Sequence, residues 1–237
     1  MSTDNTKIDS KIDEMFKAGA HFGYSKTRRH PSISKMLFGM KNKNDIIDLE
    51  KTSAMLATAK EFMTKLSSEG KQIIIVGAKP EARNEVLATA LAMDASYVVS
   101  RWVGGTLTNF PEIKKRITRL VDLKDQRAKG ELATKYTKKE QLLISREIER
   151  MEKLFSGLVN LRKADAVLVI DGKREHIAVS EANKVGIPVI ALVNSDTNIK
   201  NIQYPILAND ASVSSIKFFL GELKNAWEDG KVKVKAE

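Results

Sequence analysis

The sequence predicts an α/β protein, a parallel sheet with helices on both faces, into which an antiparallel coiled-coil helical hairpin is inserted. Three observations lead there. The continuous β-branched runs Ile73-Ile74-Ile75-Val76, Val167-Leu168-Val169-Ile170 and Val189-Ile190-Ala191-Leu192-Val193 read as strands buried on both faces. Helix-forming segments at 81–93, 175–185 and 212–227 alternate with them, as right-handed parallel crossovers require. Residues 111–161 are too long for a crossover and are almost wholly helix-forming.

In chain order, residues 10–19 carry Ile12, Met15, Phe16 and Gly19 three and four apart, which predicts a short amphipathic helix with Ser10 as its N-cap. Residues 21–31 are rich in breakers and polar side chains and predict a loop. Met36-Leu37-Phe38-Gly39 and Asp45-Ile46-Ile47-Asp48, set apart by Lys41-Asn42-Lys43-Asn44, predict two short strands about a polar turn. Leu49, Leu56, Ala59, Phe62, Met63 and Leu66 recur with helical period, and Gly70 offers a stop. Weaker signals at 97–99 and 204–206 would add two strands to the sheet. In the insertion, Ile113, Ile117 and Leu120 step by four and three, as do Ile144, Ile148, Met151, Phe155 and Leu158, the pattern of a coiled-coil seam. A turn near Gly130 would let two arms of about 24 residues pair and reach ~36 Å from the sheet. The expected organisation is a segment 1–48 packed on the core, an α/β domain from 49–110 and 162–228, the hairpin at 111–161 and a basic tail at 229–237.

Composition narrows the chemistry. At 237 residues, 42% hydrophobic and 30% charged, the chain can bury a sizeable core and is not of disordered type. Lys and Arg number 40 against 30 acids, a formal charge of +10 that favours polyanionic partners such as nucleic acid. The absence of cysteine excludes disulfide scaffolds, thiolate zinc sites and thiol nucleophiles, and fits a reducing compartment. No secretory pattern opens the chain, and its apolar runs fall far short of the ~18 residues that span a bilayer. A cytoplasmic protein with no membrane partner is expected.

Catalytic signals are sparse. The turn Val76-Gly77-Ala78-Lys79-Pro80 lacks both glycine-rich patterns that wrap nucleotide phosphates. Asp171 and Asp196 follow strands, where they could hold a metal or act as a base on a phosphorylated small molecule, or close Asx turns. Gly104-Gly105-Thr106-Leu107-Thr108-Asn109 could cradle an anion, or form a tight turn that launches the hairpin. His21, His30 and His176 make no triad or metal grouping. No catalytic residue, metal or cofactor is expected.

Binding has stronger support. Between Tyr24 and Asn44 stand six basic side chains, Lys26, Arg28, Arg29, Lys35, Lys41 and Lys43, and no acid. With Thr27 among them and Tyr24 and His30 interleaved, they supply cations for phosphates and flat rings for bases or riboses. Lys114, Lys115, Arg116 and Arg119 add a second cluster at the root of the hairpin, and residues 111–163 carry fifteen basic against eight acidic side chains. The expected RNA-binding set is Tyr24, Lys26, Thr27, Arg28, Arg29, His30, Lys35, Lys41 and Lys43, joined by Arg101, Trp102, Gly104, Gly105, Thr106 and Asn109 of the glycine turn and by Lys114 and Lys115.

Several strings, taken together and in order over about residues 10 to 225, resemble the bacterial small-ribosomal-subunit protein S-two family. They include Gly19-Ala20-His21-Phe22-Gly23, Thr27-Arg28-Arg29, Phe38-Gly39, Ile46-Ile47-Asp48-Leu49-Glu50-Lys51-Thr52 and Arg101-Trp102-Val103-Gly104-Gly105-Thr106-Leu107-Thr108-Asn109-Phe110. Val169-Ile170-Asp171, Gly186-Ile187-Pro188-Val189-Ile190-Ala191 and Tyr204-Pro205-Ile206 complete the match. The resemblance implies a flavodoxin-like (Rossmann-like) sheet with a protruding coiled coil, and a structural, non-enzymatic role in the ribosome. It also implies contacts with small-subunit ribosomal RNA, neighbouring ribosomal proteins and, in many bacteria, the large messenger-binding protein S-one, with no homo-oligomer. The chain departs from the family's pattern at His30, where Trp is usual, at Ala164, where Pro is usual, and at Asn194, where an acid is usual.

Overall fold

The computed structural model describes the backbone of residues 2–236 and the side chains of residues 10–232 other than Ala133. The basic tail expected at 229–237 therefore lies largely outside the described side chains. Helix α1 (Ser2–Lys17) starts well before Ser10, because no Pro or Gly interrupts the polar stretch ahead of its amphipathic turns. Gly19, at φ 73°, then turns the chain out of the helix.

Strand β1 (Phe22–Ser25) and a 3₁₀ turn (Lys26–Arg28) occupy what the sequence presents as a loop. The strand is recruited by its partner, since β1 pairs antiparallel with β3 (Asn44–Ile47), which also pairs with β2 (Leu37–Lys41). The β2–β3 turn places Asn42 at φ 51° and Lys43 at φ 66°, two left-handed residues in succession, as a tight hairpin requires.

Helix α2 (Leu49–Ser68) begins at Asp48, whose Oδ1 accepts from the amides of Glu50 at 3.1 Å and Lys51 at 3.4 Å. The chain then alternates through β4 (Ile73–Val76), α3 (Pro80–Met93) and β5 (Ser96–Val98). After the insertion come β6 (Ala166–Ile170), α7 (His176–Val185), β7 (Val189–Val193), β8 (Tyr204–Leu207) and α8 (Val213–Ala236). All neighbouring pairs in this sheet are parallel, and the order is β5-β4-β6-β7-β8, the flavodoxin-like order.

The two faces of the sheet carry separate cores. Ile73, Ile75, Leu168, Ile170, Ile190 and Leu192 pack with α1, α2, α3 and α8. Ile74, Val76, Val167, Val169, Val189 and Ala191 pack with α7 and the insertion. That double burial is why these strands read as unbroken apolar runs.

The insertion is a pair of helices, α4 (Phe110–Ala128) and α6 (Lys138–Phe155), joined through a short α5 (Glu131–Lys135) that starts at the left-handed Gly130. The arms have 19 and 18 residues, shorter than expected, because α5 takes up the tip. Arg119–Glu147 at 3.0 Å and Lys124–Glu152 link the arms. Ile113, Ile117, Leu120, Ile148, Met151 and Phe155 are buried as expected, and they belong to the same cluster as the sheet residues. The root of the insertion is thus part of the core.

Candidate nucleic-acid interface

The parallel strands bring charged and polar groups to their carboxyl ends: Lys79 after β4, Asp171 after β6, Ser195 and Asp196 after β7, and Asp210 after β8. In open α/β sheets this edge is where ligands bind. Here the chain's own N-terminal segment lies across it. The Tyr24 amide donates to Ser195 Oγ at 2.9 Å, and the His30 amide donates to the Ser195 carbonyl at 2.9 Å. The Tyr24 hydroxyl sits 3.3 Å from both Asp210 Oδ1 and Lys79 Nζ, and Lys79 Nζ is also 3.3 Å from Asp171 and from Asp210. Lys79 and Asp210 are buried. Burial alone would lower the Lys79 ammonium, but Asp210 and Asp171 outweigh it and hold its pKa above the ordinary lysine range. Burial and then Asp210 push the Tyr24 phenol upward as well.

This arrangement separates the expected RNA-binding residues into anchors and exposed groups. Arg29 forks onto the fully buried Asp45, with Nε 2.9 Å from Oδ2 and the second arm on Oδ1. The Tyr24 ring is covered by the Arg28 guanidinium, 4.2 Å from its centroid. His30 Nδ1 meets Ser32 Oγ at 2.7 Å and caps the 3₁₀ turn Pro31–Met36. Trp102 is 4% exposed. Tyr24, Arg29 and Trp102 are therefore engaged internally, the Tyr24 ring under Arg28 and the Trp102 ring in the core. Thr106 is also buried, its hydroxyl donating to the Val103 carbonyl at 2.6 Å.

Lys26, Thr27, Arg28, Lys35, Lys41 and Lys43 remain exposed. The Lys26 amide donates to the Lys43 carbonyl at 3.1 Å, which ties the 3₁₀ turn to the hairpin and groups Lys26, Lys41 and Lys43. Arg28 reaches Asp196 at 3.0 Å, as does Lys173, so one buried carboxylate holds two half-exposed cations. A cleft of about 710 Å³ opens beside them, lined by His30, Lys173, His176, Asp196 and Thr197.

The glycine turn stands elsewhere, on α7. Glu181, buried and pointing out of that helix, accepts from the amides of Gly105 at 2.7 Å, Leu107 at 3.0 Å and Thr108 at 3.4 Å. The Thr108 hydroxyl and Trp102 Nε1, both at 3.4 Å, complete the ring. The loop is an anion cradle and a turn at once, and its anion is the protein's own. Arg101, Gly104 and Asn109 stay exposed around it. Lys114 lies at the opposite, amino edge of the sheet, where it lines a cavity with Lys71 and Arg162, while Lys115 pairs with Glu112 at 2.6 Å. The residues grouped in sequence thus form a basic cluster on the N-terminal segment and a separate loop and helix root.

Sequence reasoning missed Lys79, Lys173, Glu181 and Asp210. The position of Lys79, Asp171 and Asp210 at strand ends is the available signal; nothing local marks Glu181, which is 76 residues from Gly105. Asp171 and Asp196, the residues of an enzymatic reading, are engaged by Lys79 and by Arg28 and Lys173.

A family profile described as ribosomal protein S2 matches residues 15–230. The chain belongs to the ribosomal protein S2 family. A relative from Parabacteroides distasonis, called small ribosomal subunit protein uS2, is 38% identical over 95% of this chain and 81% of its own. Relatives of the same name from Chloroflexus aurantiacus and Dictyoglomus thermophilum are 38% and 39% identical, covering 92% and 93% of this chain and 92% and 89% of theirs. Membership of the S2 family accords with the flavodoxin-like sheet, and no described helix is long and apolar enough to cross a membrane.

Proposed function

We propose that this protein is a structural constituent of the small ribosomal subunit in the cytoplasm, not an enzyme, and that it docks on ribosomal RNA through the exposed cations of its N-terminal segment. One observation carries the reading: Lys26, Arg28, Lys35, Lys41 and Lys43 stay exposed on a scaffold that the Arg29–Asp45 fork braces internally and that the Tyr24 and His30 amides pin to Ser195 after β7. The pinned backbone fixes where the cations stand, so phosphates are met by a rigid surface. Such contacts position a protein on RNA, and specificity follows from RNA shape. The glycine loop with Arg101 and Asn109, and the helix root with Lys114, supply further contact to RNA or to neighbouring ribosomal proteins, among them a messenger-binding protein S-one.

Sedimentation of a tagged copy from lysate through a sucrose gradient tests this. Migration with small subunits at low salt, and release by a high-salt wash, are expected. A protein that stays at the top of the gradient would reject the ribosomal role and return attention to the cleft beside Asp196.

A further inference from the structure

We infer that Glu181 is a positioning residue for RNA binding: its carboxylate fills the cradle of the glycine loop and holds Arg101, Gly104 and Asn109 in the form presented to RNA. The inference rests on the RNA-docking role proposed above.

Five donors converge on this one side chain, three of them backbone amides of a loop that includes Gly105 at φ 91°. Successive amides turned inward form a concave nest that favours an anion. Emptied, the nest would leave amides unpaired and the loop free to open. Glu181 is 7% exposed and sits mid-helix on α7, flanked by Ala178, Val179 and Ala182, which face the sheet. Its backbone is therefore fixed by the core, and the loop takes its shape from the core through one carboxylate. The loop's amides are consumed by this bond, so RNA meets the loop's outward edge and not its nest. The short turn from Asn109 into α4 also inherits that position.

The proposal predicts chemical rescue. In Glu181→Ala the nest is vacated, and acetate has the size and charge of the missing atoms. The full chain is measured against transcribed small-subunit ribosomal RNA, at constant ionic strength with chloride or acetate as the anion. Amide hydrogen exchange at Gly105, Leu107 and Thr108 is followed on the free protein. Glu181→Ala is expected to weaken RNA binding about tenfold and to speed those amides by at least a similar factor, with acetate restoring both. Glu181→Gln keeps the volume without the charge and serves if the alanine variant does not fold; its amides should also exchange faster. Unchanged exchange in a folded variant would overturn the inference, as would an affinity loss that acetate does not restore. If the unaltered chain fails to bind RNA, the docking role fails, while the exchange experiment still decides whether Glu181 holds the loop.

Discussion

Arg28 and Arg29 are neighbours in sequence and do different work. Arg29 neutralises a carboxylate with no exposed surface, whereas Arg28 is half exposed and shares Asp196 with Lys173. Arg29→Ala leaves Asp45 charged and buried and should cost about 2 kcal/mol, given the partial exposure of the arginine. Thermal denaturation should show this as a fall of roughly 4–8 °C. Changing Lys26, Lys35, Lys41 and Lys43 together to Gln should leave the melting temperature nearly unchanged and weaken RNA binding. The buried cluster adds a pH dependence. The folded state holds protons on Lys79 and Tyr24 more tightly than the unfolded chain does. Their stabilising effect is therefore complete below the ordinary values near ~10 and is lost as pH rises through the raised ones. Melting scans should show a steep fall in stability above about pH 10, reduced in Lys79→Met. The sequence reveals which residues are basic but not which are spent internally, because the acids that spend them, Asp45 and Asp196, lie outside the acid-free stretch.

Among the elements, α4 and α6 show best what periodicity can and cannot say. The apolar steps at Ile113, Ile117 and Leu120, and at Ile148, Met151 and Phe155, are real and buried. Their period does not reveal that they face the sheet's core as well as each other. Two truncations separate these roles. Replacing residues 124–143 with a short flexible linker should leave the sheet folded with nearly native circular dichroism. Removing all of 111–161 takes away the cover that the insertion shares with α7 on one face of the core and should prevent cooperative folding. Gly157, after α6, gives a sharper check: a Cβ there would overlap the Tyr97 carbonyl and ring at the sheet edge. Gly157→Ala should destabilise by roughly 1–3 kcal/mol, read as a shift of the denaturation midpoint. Strand β1 escaped the sequence reading because a four-residue strand owes its form to its partner β3. The helix α1 start escaped it because the stretch before Ser10 carries neither apolar period nor stop signal.

On the scale of the whole molecule, the long-range logic of the sheet was legible: five parallel strands, with helices on both faces, follow from buried β-branched runs alternating with helices. The covering of the strands' carboxyl edge was not, because the N-terminal segment that fills it comes from the far end of the chain, as the Tyr24 to Asp210 contact shows. The 40 basic side chains are therefore divided between groups that neutralise the protein's own acids, such as Arg29 and Lys79, and groups left exposed, such as Lys26, Lys41 and Lys43. The salt dependence of affinity for small-subunit ribosomal RNA tests that division most directly. If about 6 to 10 phosphates are neutralised, affinity should fall ~10³- to 10⁵-fold between about 50 and 200 mM salt. The fourfold Lys-to-Gln variant should lose roughly three units of the logarithmic slope. A flat salt profile, or a slope that those four substitutions leave unchanged, would contradict docking through the N-terminal cations.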